Sequence, residues 1–181
     1  MKMNVIFMRH TQAQHNVTDI INSDPQKQVV LTELGRRQAV AAAKKLGGMT
    51  FDVIYVSEFV RTQETAAIIN DGRFPVVIDK RINEFNVGLD GKKASEWTNR
   101  KMKAARNKRF DFKLKGAESM RDLKKRVGNF LDELRGKGYR DVLAVTHGDV
   151  VNVALVIFGK LTEEQAAEYK VKNGEYFGFE L

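Results

Sequence analysis

Four short segments of this sequence hold residues that could do chemistry together: Arg9-His10-Thr11, Ser57 with Arg61, Asp79 with Arg81 and Glu84, and Thr146-His147-Gly148. Between them they contain two of the three histidines in the chain, two or three useful arginines and a glutamate. A metal centre fits this set poorly, because neighbouring arginines repel a cation and no His-x-x-His or His-Glu-x-x-His spacing occurs. A serine-hydrolase triad would need a Gly-x-Ser-x-Gly elbow, and a phosphate-binding loop would need Gly-x-x-x-x-Gly-Lys-[Ser/Thr]; the chain has neither. With no cysteine, thiol catalysis, disulfide scaffolds and Cys-ligated zinc or iron–sulfur sites are excluded. What remains is an anion pocket. Guanidinium forks match phosphate oxygens, and a neutral imidazole beside them can attack phosphorus. A carboxylic acid can then protonate the departing alkoxide and later take a proton from the attacking water. Each group has work in phosphoryl transfer, which relies on positioning and charge neutralisation.

These residues are useful only if the fold brings them together, and the hydrophobic pattern supplies the means. Met3 to Met8 reads as a buried strand, Asp52 to Val56 as a second, Pro75 to Ile78 as a third and Asp141 to Val145 as a fourth. Thr32 to Leu46 reads as a helix with Leu34, Ala39, Ala42, Ala43 and Leu46 on one face, ended by Gly47-Gly48. Further helices are expected over Phe59 to Asn70, over Ser119 to Leu134 with a Ser119/Asp122 capping box, and from about Asp149 to Phe158. Thr162 and Gln165 suit the cap of a short helix, and Tyr176 to Phe179 an edge strand. Alternation of strands and helices predicts an α/β sandwich with a mostly parallel sheet. In such sheets ligands bind at the carboxyl ends of the strands, which is where the four segments fall.

Six stretches carry a family resemblance in their order along the chain. They are Arg9-His10-Thr11-Gln12-Ala13-Gln14-His15-Asn16, Leu31-Thr32-Glu33-Leu34-Gly35-Arg36-Arg37-Gln38-Ala39 and Ser57-Glu58-Phe59-Val60-Arg61-Thr62-Gln63-Glu64-Thr65-Ala66. After these come Glu84 with Gly88 and Asp90-Gly91, then Glu118-Ser119 with Arg126, and finally Val145-Thr146-His147-Gly148. Together they resemble the histidine phosphatase, or phosphoglycerate-mutase-like, superfamily. The resemblance implies a three-layer α/β sandwich whose mostly parallel central sheet is flanked by helices. It implies that His10 is the nucleophile and forms a transient phosphohistidine, and that Glu84 is general acid and then general base. Arg9, Arg61 and His147 would bind phosphoryl oxygens, with Asn16 and Gly148 also at the pocket. No metal or cofactor is implied. Three positions depart from the family pattern: Thr11 stands where glycine is usual, Ala13 where threonine is usual and Glu58 where proline is usual. A β-branched Thr11 requires a loop that avoids positive φ. Plainer readings stand beside some roles: Arg61 as a helix-surface partner of Glu58 or Glu64, and Glu118 or Asp149 as the acid in place of Glu84; His15 reads as a structural or outer-pocket residue, with substrate contact as the alternative.

Composition sets the wider frame. With 43% hydrophobic and 30% charged residues the chain reads as an ordinary soluble globular protein. Its apolar runs, such as Val150 to Phe158, are too short and too interrupted to cross a membrane. The first residues lack a signal-peptide core, so the cytoplasm is the expected location. One domain over 1–181 is expected, with a basic lid-like insertion at about 92–117. Lys92 to Arg126 holds fourteen basic residues against four acids, a local +10 within a net charge of +8, so the rest of the chain is slightly acidic at −2. That stretch is either a solvated face or a cationic lid steering an anionic substrate, with Trp97, Phe110 and Phe112 as anchors or stacking surfaces. The expected activity is phosphomonoester hydrolysis of a small phosphorylated substrate. Mutase-type phosphotransfer is the alternative, and so is a nucleic-acid-binding or scaffold protein using residues 92–126. Pure binding, however, gives no reason for a histidine pair with Glu84.

Overall fold

A computed structural model describes residues 2–97 and 110–181. The expected lid at 92–117 lies in large part on residues 98–109, outside the described residues. In chain order the elements are β1 (Asn4–Arg9), α1 (Gln14–Thr18), α2 (Glu33–Leu46), β2 (Val53–Val56), α3 (Val60–Asn70) and β3 (Val76–Ile78). A 3-10 turn (Lys80–Ile82) and α4 (Ala94–Trp97) follow, then α5 (Met120–Arg135), β4 (Asp141–Thr146), α6 (Gly148–Ile157), α7 (Glu163–Glu168) and β5 (Tyr176–Glu180).

The five strands form one sheet in the order β3-β2-β4-β1-β5. The first four run parallel, and β5 is antiparallel to β1 on the edge. β1 and β4 are apolar nearly throughout because helices cover both faces. Val5, Phe7, Val53, Tyr55, Val142 and Ala144 meet α5 and α6 on one face. Ile6, Met8, Ile54, Val56, Leu143 and Val145 meet Ala42 and Leu46 of α2 and Ala66 and Ile69 of α3 on the other. Phe130 of α5 is the centre of the first layer, edge-on to Phe7 at 6.2 Å and to Tyr55 at 5.1 Å. Each large apolar side chain buried here contributes about 1.5–3 kcal/mol. This is the three-layer, mostly parallel α/β sandwich expected. No helix among the described residues is long and apolar enough to cross a membrane.

The strand register aligns the carboxyl ends. Arg9 pairs with Thr146 and Val56 with Val145, so His10, Ser57 and His147 leave the sheet at one level. Caps fix the helices that follow. Thr32 accepts from Gly35 N to start α2, and Ser119 and Asp122 form the expected reciprocal capping box on α5.

One expectation is corrected: Leu34 is 44% exposed, and the buried face of α2 is Gly35, Ala39, Ala42 and Leu46. The cause is steric. A Cβ at Gly35 would lie 1.9 Å from the Gln12 carbonyl oxygen, so α2 presents its glycine to the loop after β1 and turns Leu34 outward. The short α1 and α4, of five and four residues, have too little length to show a period and were not expected.

Candidate active site

Each functional side chain is aimed by contacts from a different element. His10 follows β1, and its loop is clamped by α2 and α3. Gln12 N–H donates to Gln38, Thr32 N–H donates to the Gln12 carbonyl, and Thr11 N–H donates to Thr65. Thr11 is fully buried and not among the positive-φ residues, so the substitution of glycine by threonine costs no backbone strain. From below, Asn173 donates to the His10 carbonyl and Gly174 N–H to that of Arg9.

The His10 ring has an assigned tautomer. Nδ1 lies 2.7 Å from the Thr11 carbonyl, an acceptor, so it carries the proton. Nε2 is left with its lone pair and accepts from Arg61 Nε at 3.2 Å. Burial, reinforced by Arg61, holds the imidazole well below its usual pKa, so it is uncharged at neutral pH. A neutral, oriented Nε2 is the requirement for attack on an electrophile.

Arg61 is the largest fully buried side chain among the described residues. It lies 4.3 Å over the Phe59 ring, and its terminal nitrogens donate to the side chain and carbonyl of Asn22 at 2.5 and 3.2 Å. The nearest carboxylate oxygen, on Glu84, is 3.7 Å away. Burial lowers its pKa to about 10, which still leaves it charged at neutral pH. With its partner carboxylate at 3.7 Å, this buried cation keeps part of a desolvation cost of several kcal/mol, and an arriving anion offsets it. The reading of Arg61 as a surface ion pair is overturned, since Glu64 instead pairs with Arg36 and the Leu31 amide.

Glu58, the replacement for proline, has a structural use. Its amide donates to Asn83, whose side chain donates back to the Glu58 carboxylate at 2.6 Å. This clamp ties the end of β2 to the segment carrying Glu84. From the other side Arg126 of α5 donates to the carbonyls of Arg81 and Glu84, and is itself held by Glu118 at 2.6 Å. Glu118 is therefore committed to Arg126 and to the Asn86 amide, which removes it as a rival acid.

His147 stands at the N-terminus of α6. Its Nε2 is 2.8 Å from Ser57 Oγ, while Nδ1 is 3.3 Å from Arg61 and 3.4 Å from Glu84. Phe59 packs edge-on against its ring at 4.8 Å. Burial and Arg61 also hold this imidazole well below its usual pKa. Gly148 opens α6, where first-turn N–H groups have no intrahelical partner and the helix dipole favours an anion. Arg9 lies against Gly148. One of its terminal nitrogens donates to the Val171 carbonyl, and its buried Nε has no partner.

Thus the structure brings His10, Arg61, Glu84 and His147 into one cluster, with Arg9 and Gly148 adjoining. One atom each of His10, Glu84 and His147 lie within 4.8 Å of one another, a spacing that could hold a metal ion. The Arg61 guanidinium already sits against all three, and its charge favours an anion there over a second cation. Asn16 lines the approach but has its amide engaged: Oδ1 accepts from Ala13 N–H, and Nδ2 faces His15 Nε2. Two clefts meet at Glu84, one of about 260 Å³ with His15, Asn16 and Asp149, the other of about 510 Å³ with Phe59, Lys80 and Arg126. Asn22, Ser57, Thr65 and Asn173 orient the cluster and were not predicted as site residues. Ser57 had a signal in its place after β2, and Asn173 in the Asn-Gly turn before β5. Asn22 had none.

Two uncharged imidazoles and a buried guanidinium at the carboxyl edge of a parallel sheet define a class, α/β proteins with an anion pocket that keeps a histidine nitrogen unprotonated. Within that class the chain belongs to the histidine phosphatase superfamily (branch 1), whose profile matches residues 5–181. A 2,3-bisphosphoglycerate-dependent phosphoglycerate mutase of Thermoplasma acidophilum is 33% identical over 170 residues, covering 93% of this chain and 82% of that one. Among solved structures, a mycobacterial glucosyl-3-phosphoglycerate phosphatase complexed with VO3 is similar with a TM-score of 0.85 at 25% identity, covering 97% and 92% of the two chains. A Bacillus stearothermophilus protein, YhfR, is similar with a TM-score of 0.82 at 25% identity, covering 97% and 90%.

Proposed function

We propose that this chain is a phosphomonoesterase that hydrolyses a small phosphorylated substrate through a phosphohistidine on His10. The observation that carries the reading is the unprotonated Nε2 of neutral His10, held at 3.2 Å by a fully buried Arg61 whose nearest carboxylate oxygen, on Glu84, stands 3.7 Å away. In the first step the Nε2 lone pair attacks phosphorus and the P–O ester bond breaks. Glu84, in its acid form, gives its proton to the departing alkoxide. In the second step water attacks the phosphoryl group, Glu84 takes its proton, the P–N bond breaks and His10 returns to its starting state. Arg9, Arg61, His147 and the Gly148 amide hold the phosphoryl oxygens, each charge-assisted hydrogen bond contributing about 1.5–3 kcal/mol. Asn16 serves by holding the loop and His15. No step calls on a metal.

The alternative is mutase-type transfer, favoured by the 33% identity to a mutase. Incubating the protein with a panel of phosphorylated sugars, sugar acids and nucleotides, with and without EDTA, separates the two. Release of inorganic phosphate, unchanged by EDTA, is expected. Positional isomers of a phosphorylated acid without phosphate release would instead establish the mutase, and activity lost to EDTA and restored by a divalent ion would contradict the metal-free route.

A further inference from the structure

Among the described residues, two buried side-chain nitrogens have no hydrogen-bond partner, Arg9 Nε and His15 Nδ1. Both belong to the segment around His10. For His15 the hydrogen-bond network assigns what that nitrogen carries. Asn16 Oδ1 accepts from the Ala13 amide at 2.9 Å and from Asn173 Nδ2 at 3.3 Å, which fixes the orientation of the Asn16 amide. Its Nδ2 therefore donates to His15 Nε2, 3.0 Å away. Nε2 is the acceptor, so a neutral His15 carries its proton on Nδ1. Burial, with Arg61 adding to it, lowers the His15 pKa to about 3, in keeping with a neutral ring. The result is an N–H donor, locked in direction and buried without an acceptor. Such a donor is costly unless a ligand completes it.

Its place says which ligand. The His15 ring is 5.4 Å from that of His10, the same separation as His147, so the nucleophile has two imidazoles at equal distance. His15 also lines the cleft that reaches Glu84 and Asn22. We propose that His15 is a substrate-binding residue whose Nδ1–H donates to an oxygen of the phosphoryl group seated against His10. The proposal rests on the phosphoryl-pocket reading above and adds a donor to it.

Side-chain geometry supplies the test. An asparagine amide nitrogen overlays the imidazole Nδ1, whereas a glutamine amide reaches to the position of Nε2, and leucine offers no donor. Calorimetric titration of the full chain with inorganic phosphate compares the wild type with His15→Asn, His15→Gln and His15→Leu, each checked for an intact thermal transition. The expected result is that His15→Asn stays within about threefold of wild type, while His15→Gln and His15→Leu weaken phosphate by about tenfold or more. Equal affinity in all four proteins overturns the proposal. So does a loss in His15→Asn as large as in His15→Leu, which would mark His15 as structural only. A wild type that binds no phosphate overturns the pocket reading itself and this proposal with it.

Discussion

Burial and one guanidinium hold His10 and His147 uncharged, and the proposed mechanism therefore assigns the acid to Glu84. That division of labour makes a sharp prediction. Glu84→Gln should slow esters with poor alkyl leaving groups by about 10²–10⁴, since a positioned proton donor contributes that much, and should spare activated aryl phosphates. Steady-state rates on an alkyl and a nitrophenyl phosphate measure it; equal losses on both would move the proton donor elsewhere, with Asp149 on the same cleft as the next candidate. The convergence of His10, Arg9, Arg61, Glu84 and His147 was legible because each lies at or soon after the carboxyl end of a strand and needs only the parallel sheet to bring it in. Asn22 was not. It acts by reaching Arg61 across 39 residues from an irregular segment with no periodic pattern. Asn16 lines the cleft as expected, but its tie to Asn173, 157 residues away, had no signal in the sequence.

The elements explain why motif positions far from the cluster matter. Gly35 allows α2 to touch the Gln12 carbonyl, and Gln38 one turn later holds the Gln12 amide. Gly35→Ala forces backbone against backbone, so a loss of about 1–3 kcal/mol or more in urea unfolding is expected, with lower turnover because the same loop carries His10. Gly128 on α5 is the control: nothing lies within 4 Å of its missing Cβ, and Gly128→Ala should stabilise by about 0.5–1 kcal/mol. A neutral Gly35→Ala would show that α2 does not brace the loop. The mostly parallel sheet, the edge position of β5 and most helices could be read from the alternation of patterns; the strand order could not. The face of α2 could not, since periodicity favours Leu34 as core and cannot register a glycine kept for close approach.

At the scale of the whole molecule, the site makes stability depend on pH. His10 and His147 are held well below the ordinary imidazole value, and His15 at about 3. In the unfolded chain all three titrate near 6.5. Below that pH the unfolded state therefore binds more protons than the native one, so stability is fully present above about 6.5 and is lost as pH falls. Each histidine contributes a slope of about 1.4 kcal/mol per pH unit once its unfolded form is protonated. Urea unfolding at stepped pH should show a plateau from 8 to 7 and a decline from 6.5 to 5, and a flat profile across that lower window would mean that the imidazoles are not buried neutral.

The central claim is that His10 becomes phosphorylated during turnover, and chemical trapping tests it most directly. The protein is mixed with a phosphomonoester, denatured within the turnover time under alkaline conditions, digested and mapped by mass spectrometry. The account predicts one acid-labile, alkali-stable phosphoryl group on the peptide containing His10, absent from His10→Ala, which should also release no phosphate. A phosphoryl group on another residue, or continued phosphate release by His10→Ala, would contradict it.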